Sequence, residues 1–428
     1  MDIWHVNTTM YGGGVAEILE ALKHGDTADR RQRRFITTSD PAFFNVTKRI
    51  HHRLHGVDRG PLPDEAEHAA MLAFAQHNAD RLRAVIAPGD AVVLHDPQTI
   101  AMIPHLVADG VPVAWRCHIG TTAANQTSIS TWDYLAQFWR PEVILVFSVP
   151  TLVPPHATGY QVVTIAPSID PAAPKNQPLS TADVDEVLAG IGLSGAAPVG
   201  AVGAPTASVV SESPIGAEPV LLQVSRWDPL KDMAGVLRAY AESALPGRAH
   251  LVLCGPSPAG VADDPEAGEV YQAVEAYRDA LPDSVRRRVH LVCPDLGDIA
   301  GNARLVSALQ LRAEIVIQKS LQEGFGLTVT EAMWKGRPVV GTRVGGLAAQ
   351  IVSGESGILL DDPTDLTGLA AAALGLLDDP GRRAALGRGA HERVRDLFTV
   401  TREIADHHRL YDMLGAGLTT SAADPSAD

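Results

Sequence analysis

Two glutamates on either side of a glycine turn are the residues of this chain best suited to hold a ligand. Glu323 and Glu331 stand eight positions apart, and the turn Gly324-Phe325-Gly326 lies between them. Glu331 falls inside a helix predicted to begin at Leu327, whereas Glu323 precedes that helix. Because the two carboxylates do not share a helical face, we expect them to hold opposite ends of one ligand.

The start of the same helix provides a second kind of interaction. The first backbone N–H groups of a helix have no acceptor within it and favour a phosphate group. Here these donors belong to Gly324, Phe325, Gly326 and Leu327, and the glycines let the backbone approach a ligand closely. Carboxylates accept hydrogen bonds from sugar hydroxyls. The segment therefore predicts a sugar-nucleotide site, although a capped surface helix with solvated acids would show the same pattern.

Two basic residues could balance the charge of a departing diphosphate. Arg226 and Lys231 follow the predicted strand Val220–Val224 and precede a helix. A fixed guanidinium and an ammonium would neutralise the charge that builds on a leaving nucleoside diphosphate. In the alternative interpretation, the pair is solvated and matched to the neighbouring Asp228 and Asp232.

Further candidates follow strands of the first half of the chain. Gly12-Gly13-Gly14 comes after the first strand, and three consecutive glycines favour a close ligand or a left-handed turn. The segments His95-Asp96-Pro97-Gln98 and Arg116-Cys117-His118 each end a predicted strand. A single histidine at a strand end is more often structural. Two such clusters on neighbouring strands, however, predict a polar pocket able to bind a sugar.

Short apolar runs alternate with helical stretches along the whole chain, which is typical of parallel sheets with crossover helices. The predicted strands are Ile3–Val6, Ala91–Leu94, Val113–Cys117, Val143–Phe147, Val162–Ile165, Val220–Val224, His250–Leu253, His290–Val292, Ile315–Gln318 and Val339–Gly341. They form two consecutive sets, which predicts an α/β protein with two doubly wound Rossmann-like domains facing across a cleft. Ligands of such sheets bind at the carboxyl ends of the strands, where every motif above lies.

The length of 428 residues also favours two domains, because it exceeds what one core supports. We predict an N-terminal domain over residues 1–178 and a C-terminal nucleotide-sugar-binding domain over 220–398. Residues 179–219 are rich in Gly, Ala, Pro and Ser and predict a partly flexible linker or insertion. A helix over 399–416 is expected to pack back on the N-terminal domain, followed by a disordered tail over 417–428.

Composition narrows the classes of partner. The net charge of −15 argues against nucleic acids and anionic membranes, both of which would repel the chain. Met1-Asp2 places an acid where a signal peptide needs bases, so we expect a cytoplasmic protein. The three cysteines are isolated, and Asp183-Val184-Asp185 fits a helix N-terminus better than a metal site. We therefore expect no metal and no cofactor, with small molecules as partners, and a homodimer is left open.

Taken together, these residues resemble retaining nucleotide-sugar glycosyltransferases of the glycogen-synthase-like group, which have the GT-B double-Rossmann fold. The resemblance rests on the E-x7-E element Glu323/Glu331 and on the basic pair Arg226/Lys231. Within the group, the chain is most similar to the trehalose glycosyltransferring synthases. The supporting segments are Gly12–Glu17, Asn45–Lys48, His95–Gln98, Trp115–Ile119, Pro167–Pro171 with Lys175-Asn176, and Gln318–Ser320.

The resemblance implies a role for each candidate. Glu331 would hold the nucleotide ribose, Glu323 would hold the hydroxyls of the donor sugar, and His118 would contact that sugar near the reacting carbon. Together with Glu323 and His118, the basic pair Arg226 and Lys231 would carry catalysis. The donor would also meet residues 324–327, Gly13 and Gly14, and the acceptor side would comprise Asn45, His95, Asp96, Gln98 and Arg116.

The implied reaction moves glucose from a nucleoside-diphosphate glucose to glucose with retention, giving trehalose. Two positions depart from the subfamily, which usually carries His-Asn-Ala-Leu-Gln-Gly where this chain has the segment His51–Gly56, and an acid where it has Gly120. Both belong to the expected acceptor half, so a related transfer to another sugar or a cyclitol is an alternative. A sugar-nucleotide 2-epimerase and a non-catalytic sensor are alternatives of other classes, and the nucleotide base stays open.

Overall fold

The chain folds into two α/β units, each built around its own sheet. The computed structural model describes residues 1–9, 13–195, 205–258 and 266–421. The first unit comprises Met1–Ser168 together with the C-terminal helix that begins at Val400, and the second comprises Ile169–Thr399. The second unit is thus one uninterrupted stretch, whereas the first is assembled from both ends of the chain.

The first unit contains a six-stranded sheet in which all neighbouring strands are parallel. Its strands are β1 (Asp2–Asn7), β2 (Arg31–Ile36), β3 (Ala91–His95), β4 (Val113–Cys117), β5 (Ile144–Phe147) and β6 (Gln161–Thr164). Their order is β2-β1-β3-β4-β5-β6, so the chain reverses its direction of travel across the sheet between β1 and β3. Strands β3 to β5 are buried throughout, which explains why their sequences are apolar apart from His95 and Arg116.

Helices pack on this sheet, and the side chains buried between them and the strands form the core of the first unit. Those that precede Ser168 are α1 (Gly13–Leu22), α2 (Pro41–Leu54), α3 (Glu65–Arg83), α4 (Asp96–Thr99), α5 (Ile103–Ala108) and α6 (Gln126–Ala136). The larger apolar cluster contains buried residues of α2, α3, α5 and α6. A second cluster joins Ile3 and Val93 of the sheet to Leu410 and Tyr411 of the C-terminal helix.

The second unit contains a seven-stranded sheet that is parallel except at one edge. Its strands are β7 (Ala207–Val210), β8 (Val220–Val224), β9 (His250–Cys254), β10 (Val289–Pro294), β11 (Ile315–Gln318), β12 (Val339–Thr342) and β13 (Gly357–Leu360). The order is β13-β12-β11-β8-β9-β10-β7, and only β7 runs antiparallel to its neighbour. The direction of travel reverses between β8 and β11.

The remaining helices follow in chain order. They are α7 (Thr181–Gly190), α8 (Met233–Ala241), α9 (Glu266–Asp279), α10 (Asp283–Arg286), α11 (Ile299–Arg312), α12 (Leu327–Trp334), α13 (Gly345–Gln350), α14 (Leu366–Asp378), α15 (Pro380–Leu397) and α16 (Val400–Ser421). Within the described residues, none of the helices has the length and apolar character needed to cross a membrane.

The predicted α/β class is confirmed, and all ten predicted strands are present with ends that move by at most two residues. Strands β2, β7 and β13 are additional to that prediction. The sequence of β2 is Arg-Gln-Arg-Arg-Phe-Ile, and Phe35 is its one buried residue. An edge strand needs little apolar sequence because one side of it has no neighbour, so its pattern is weak.

The segment 179–219, expected as a linker, belongs to the second unit where it is described. Helix α7 has a capping box at Ser180 and buries Val184, Val187 and Leu188, and β7 extends the second sheet. The chain accordingly passes from one unit to the other at residues 168/169 and 399/400, whereas the expected boundaries lie at 178, 219 and 398. Residues 196–204 of the expected linker and 422–428 of the expected tail lie outside the described residues.

Candidate active site

The acidic and basic residues predicted for the second unit meet where its sheet changes direction. β8 and β11 are neighbours, and the chain continues from them to opposite sides of the sheet. Arg226 and Lys231 follow β8, whereas Glu323 follows β11. The carboxyl ends of two strands at such a reversal form the usual ligand crevice of a doubly wound sheet.

Glu323 and Lys231 form a largely buried ion pair at this position. Lys231 Nζ lies 2.6 Å from Glu323 Oε1, and the two side chains are 14% and 8% exposed. The second oxygen of Glu323 accepts hydrogen bonds from Ser320 Oγ at 3.1 Å and from Gln318 Nε2 at 3.4 Å. The carboxylate is therefore held in one orientation, and its charge is balanced within the protein.

Arg226 is more accessible than Lys231. Its side chain is 49% exposed, and Nη2 donates to Asp228 Oδ2 at 2.9 Å. Asp228 is buried, and its other oxygen accepts the N–H of Leu230 at 2.8 Å, which caps the short 3-10 helix Pro229–Lys231. The guanidinium is thereby tethered at the end of β8 while it stays open to solvent, as a group that meets an anion should be.

The second predicted carboxylate, Glu331, lies on α12 and is also paired with a lysine. Lys175 Nζ is 2.6 Å from Glu331 Oε1, and the glutamate side chain is 3% exposed. Lys175 belongs to the short 3-10 helix Pro174–Asn176, which Trp334 Nε1 holds against α12 by donating to the Asn176 carbonyl at 3.0 Å. Sequence reasoning gave Lys175 no role because only the fold brings it to Glu331.

The loops after β8 and β11 are joined by a second ion pair that sequence reasoning also missed. Lys319 is 1% exposed and pairs with Asp232, whose other oxygen caps α8 by accepting the N–H of Gly235 at 3.0 Å. Asp232 has a left-handed backbone with φ of 44°, which is uncommon for a residue with a side chain. Each loop thus contributes one lysine and one carboxylate to the other.

The glycine turn between the two glutamates has a backbone conformation that glycine favours. Gly326 has φ of 89° and occupies the N-cap position of α12. At Gly345, where φ is 46°, an added Cβ atom would lie 1.6 Å from the backbone oxygen of Glu323. The N–H of Gly346 donates to the Gly324 carbonyl at 2.9 Å. A second pair of glycines therefore supports the turn, and sequence reasoning did not single it out.

Phe325 and Leu327 complete the predicted donor segment. Phe325 is buried, and its ring meets that of Phe398 edge-on with centroids 5.7 Å apart. Leu327 is partly exposed and begins α12. Because the Phe325 side chain anchors the turn, the groups that this segment can offer a ligand are its backbone N–H groups.

In the first unit, three residues of the predicted sugar pocket lie side by side at the ends of β3 and β4. Asp96 Oδ1 accepts the backbone N–H of His118 at 2.8 Å, and His95 Nδ1 lies 3.1 Å from His118 Nε2. Trp115 Nε1 donates to the Asp96 carbonyl at 3.0 Å. Asp96 has φ of 62°, a conformation that non-glycine residues adopt mainly where the surroundings impose it, often at functional sites.

The titration of Asp96 gives a testable pH dependence. Burial raises the pKa of this carboxyl to about 6, against the opposing effect of the His118 N–H. If Asp96 accepts a hydroxyl of a bound sugar, as the sequence predicts, it does so as the carboxylate, and kcat/KM should fall as the pH decreases through about 6. The Asp96→Asn enzyme should have a lower kcat/KM, and its kcat/KM should no longer fall near pH 6. The control variant Asp109→Asn should keep the wild-type pH dependence. A fall of kcat/KM near pH 6 that persists in the Asp96→Asn enzyme would show that Asp96 is not the group that titrates.

Arg116 has surroundings that favour a structural role over the predicted acceptor contact. Its side chain is fully buried, and Nη2 lies 2.9 Å from Glu403 Oε1 of α16. Nη2 also donates to the Ile165 carbonyl at 3.2 Å, and Nη1 lies 2.7 Å from His407 Nε2. Ser168 Oγ donates to the other oxygen of Glu403 at 2.7 Å. The guanidinium thus ties the first sheet to α16.

Several buried polar atoms lack a hydrogen-bond partner at or just beyond the carboxyl ends of strands in the first sheet. Within the described residues these include Asn7 Oδ1, Thr37 Oγ1, Gln98 Oε1 and Ser148 Oγ. Buried polar groups are nearly always satisfied, so a cluster of exceptions indicates a place for a polar ligand. Gln98 was predicted, and the others could have been noticed as polar residues directly after strands.

The remaining predicted residues of the first unit are Asn45 and the glycines 12–14, which belong to different segments of the chain. Asn45 is exposed on α2 and lines a cavity of about 800 Å³ that also borders α3. Gly13 and Gly14 open α1, whereas Gly12 lies outside the described residues.

The two departures from the subfamily pattern contact each other. His55 is buried at the end of α2, and its Nδ1 donates to the Gly120 carbonyl at 2.8 Å. The changes at positions 51–56 and 120 therefore concern one place in the first unit. In the described part of the chain, no group of three His, Cys, Asp or Glu side chains is arranged to hold a metal ion.

The chain is similar to known proteins over most of its length. Residues 5–154 match the family model described as trehalose synthase, N-terminal domain, and residues 298–393 match that of glycosyl transferases group 1. The trehalose synthase of Rubrobacter xylanophilus is 34% identical over 423 residues, which cover 96% of this chain and 90% of that protein. A trehalose phosphorylase of Grifola frondosa is 26% identical over 428 residues, which cover 92% of this chain and 55% of that protein.

A solved structure extends the comparison to the fold. The α,α-trehalose 6-phosphate synthase of Burkholderia multivorans has a TM-score of 0.71 and 15% identity, with 100% of this chain and 99% of that chain covered. At this low identity the likeness concerns the fold, and the predicted GT-B class is confirmed. With 34% identity over nearly its whole length to a curated member, the chain is a glycosyltransferase that belongs to the trehalose synthase family.

Proposed function

We propose that this protein transfers glucose from a nucleoside-diphosphate glucose to free glucose, with retention at the anomeric carbon, and so forms trehalose. The observation that carries the proposal is the pair of buried glutamates Glu323 and Glu331, each joined to a lysine at one end of the glycine turn. Fixed acceptors at both ends of a row of backbone donors suit a ligand with hydroxyls at both ends and phosphates between them. Membership of the trehalose synthase family supports glucose as the sugar.

The donor would lie along the glycine turn. Glu331 would accept the ribose hydroxyls, and Glu323 would accept hydroxyls of the glucose. Lys175 and Lys231 keep these carboxylates oriented, which reduces the entropy lost when the donor binds. The diphosphate would meet the N–H groups at the start of α12 and the guanidinium of Arg226.

In the reaction, the bond between the anomeric carbon and the diphosphate oxygen breaks while the acceptor oxygen attacks from the same face. The acceptor hydroxyl gives its proton to the departing diphosphate oxygen, so no protein nucleophile is required. Negative charge grows on the diphosphate, and Arg226 and Lys231 would stabilise it. Lys231 has three N–H donors, so it can contact a phosphate and keep its bond to Glu323.

The acceptor would bind at the carboxyl end of the first sheet. Asp96 and Gln98 would receive its hydroxyls, supported by the unpartnered oxygens of Asn7 and Ser148. The contact between His55 and Gly120 lies in the half expected to select the acceptor. Sites that hydrogen-bond a hydroxyl discriminate strongly against ligands without it, so this half determines which acceptor is used.

The product of glucose and a glucose donor should be an α,α-1,1-linked disaccharide. Purified protein would be incubated with a glucose donor and a panel of sugar and cyclitol acceptors, and NMR would identify the linkage. A β anomeric signal would overturn the retaining mechanism. An α product formed only with a non-glucose acceptor would overturn the acceptor assignment and leave the mechanism intact.

The relative named a trehalose phosphorylase favours a second candidate, in which inorganic phosphate cleaves trehalose. The two functions differ in their phosphate requirement. Incubation of trehalose with phosphate should give no glucose phosphate if the proposal is correct, whereas incubation with a nucleoside diphosphate should give the sugar nucleotide. Phosphate-dependent cleavage at a comparable rate would favour the phosphorylase.

Activity should survive prolonged treatment with EDTA. Arg226 and Lys231 would provide, after the end of β8, the charge neutralisation that a divalent cation would otherwise supply. The rate of disaccharide formation after chelation would be compared with the rate after Mg²⁺ or Mn²⁺ is restored. Loss of most activity that either cation restores would show that a metal takes part.

A further inference from the structure

A row of hydrogen-bonded histidines crosses the first sheet and ends at His118. His5 of β1, His95 at the end of β3 and His118 just after β4 lie on or directly after three neighbouring strands, and we call them the histidine row. His5 Nδ1 lies 3.0 Å from His95 Nε2, and His95 Nδ1 lies 3.1 Å from His118 Nε2. The row uses Nε2 of His118 and leaves its Nδ1 for another partner.

The far end of the row is held by two residues, Tyr411 of α16 and Gln32 of β2, which we call the anchor. His5 Nε2 lies 3.0 Å from the Tyr411 hydroxyl oxygen, and that hydroxyl donates to Gln32 Oε1 at 3.2 Å. Gln32 Nε2 in turn donates to the backbone carbonyl of Leu22. Because a carbonyl can only accept, Leu22 fixes which end of the Gln32 amide faces Tyr411.

These contacts determine where each proton lies. Tyr411 has one hydroxyl proton, which Gln32 accepts, so the Tyr411 oxygen must accept from the N–H of His5 Nε2. Burial lowers the pKa of His5 to about 3, so the ring carries one proton at neutral pH. Its Nδ1 is therefore an acceptor.

The same reasoning passes along the row. Burial keeps the pKa of His95 and of His118 well below the usual value, so these rings are neutral as well. His95 donates from Nε2 to His5 and accepts at Nδ1, and His118 then donates from Nε2 to His95. A neutral His118 that is protonated at Nε2 has a lone pair at Nδ1.

We propose that the anchor, acting through the histidine row, fixes His118 as the tautomer that is protonated at Nε2. His118 would then accept a hydrogen bond at Nδ1 from a hydroxyl of a bound sugar, and it would not donate one to a phosphate oxygen. The anchor residues, His5 and His95 are positioning residues that act through His118. The sugar partner rests on the proposed function, whereas the tautomer rests only on contacts within the protein.

The two halves of the anchor predict different effects. Tyr411→Phe removes the acceptor for His5 Nε2, so both arrangements of the row become available and about half of the molecules would have the correct one. Gln32→Leu removes the acceptor of the Tyr411 hydroxyl, which then donates to His5 Nε2 and inverts the row. Gln32→Leu should therefore be more harmful than Tyr411→Phe, although Gln32 is farther from His118 along the chain of contacts.

The tautomers can be read directly by NMR of protein labelled with ¹⁵N-histidine, because a protonated ring nitrogen and a lone-pair nitrogen have well-separated shifts. In the wild type, His118 should be protonated at Nε2 and unprotonated at Nδ1. Tyr411→Phe should show an averaged or mixed pattern, and Gln32→Leu should show a protonated Nδ1. A protonated Nδ1 in the wild type, or an unchanged pattern in a folded Gln32→Leu protein, would overturn the proposal.

Kinetics provide the second readout. Tyr411→Phe should lower kcat about twofold and Gln32→Leu roughly tenfold, in proportion to the population of the correct tautomer. The matched control is Tyr240→Phe, which removes another buried tyrosine hydrogen bond, to the Ala249 carbonyl at 2.7 Å in the second unit. It should leave both the His118 pattern and kcat unchanged.

The two proposals fail in different ways. If the wild-type shifts are as expected but no disaccharide forms with any sugar acceptor, the proposed function fails and the tautomer assignment stands. If Gln32→Leu does not fold, Tyr411→Phe, which changes one atom, provides the variant test through its mixed pattern. Equal kcat values for Tyr411→Phe and the wild type, together with equal shifts, would show that the anchor does not act on His118.

Discussion

Replacing Lys231 by alanine should lower kcat by about two to three orders of magnitude, and Arg226→Ala should have an effect of similar size. Both residues follow β8 at the reversal of the second sheet, where the proposed diphosphate lies. Charge grows on the diphosphate as the bond to the sugar breaks, so the interaction is strongest in the transition state. The KM for the donor should therefore change less than kcat in steady-state measurements.

Matched variants separate this effect from general damage. Arg248 lies before β9, is 46% exposed and pairs with Asp378 at 2.6 Å. It thus resembles Arg226 in exposure and pairing, but it lies at the amino ends of the strands and not at their carboxyl ends. Arg248→Ala should leave kcat unchanged. Lys231→Arg keeps a cation beside Glu323 and should recover part of the lost rate. A near-normal kcat for Arg226→Ala would rule out its assigned role.

Arg116→Ala should lower the free energy of unfolding by about 3–5 kcal/mol, a large part of the roughly 5–15 kcal/mol that typically stabilises a protein. The variant leaves the Glu403 carboxylate, 1% exposed, without its partner at 2.9 Å. It also removes the donor to the Ile165 carbonyl. Urea denaturation followed by circular dichroism would measure the change.

The double variant Arg116→Met/Glu403→Leu tests the cause. Removing both charges avoids an unpaired buried ion, so most of the lost stability should return. If Arg116 instead held the acceptor, the single variant would stay stable while the KM for the acceptor rose. An unchanged urea midpoint for Arg116→Ala would therefore show that the buried pair contributes little.

Much of the second unit could be predicted from sequence because its signals are local. β8 and β11 are continuous buried runs, and the charged residues follow them within a few positions. The glycine turn and the start of α12 are likewise adjacent in sequence, so the position of Glu323 before the helix and of Glu331 inside it could be predicted and is confirmed. Parallel sheets place such strand ends together, which links local patterns to a common site.

The rest depends on contacts between distant parts of the chain. Lys175 meets Glu331 only because the segment before α7 lies against α12, and nothing near Lys175 in sequence indicates this. Arg116 ends a strand just as a ligand-binding residue would, and its burial comes from α16. The histidine row links residues on or directly after three strands, and its anchor adds a residue of β2 and one of α16, so no spacing rule reveals it.

The second unit begins and ends at the same place. The N–H of Ile169 donates to the Phe398 carbonyl at 3.0 Å, and Ile169 also pairs with Thr399 in a parallel bridge. The two ends of this stretch are therefore adjacent in space, as in a domain that is inserted into another. During evolution, crossovers at the two junctions could replace the part that carries Glu323 and Glu331 without interrupting the chain segments that form the core of the first unit. Nucleotide preference could then diversify independently of the acceptor, and laboratory chimeras joined at these two junctions could follow the same route.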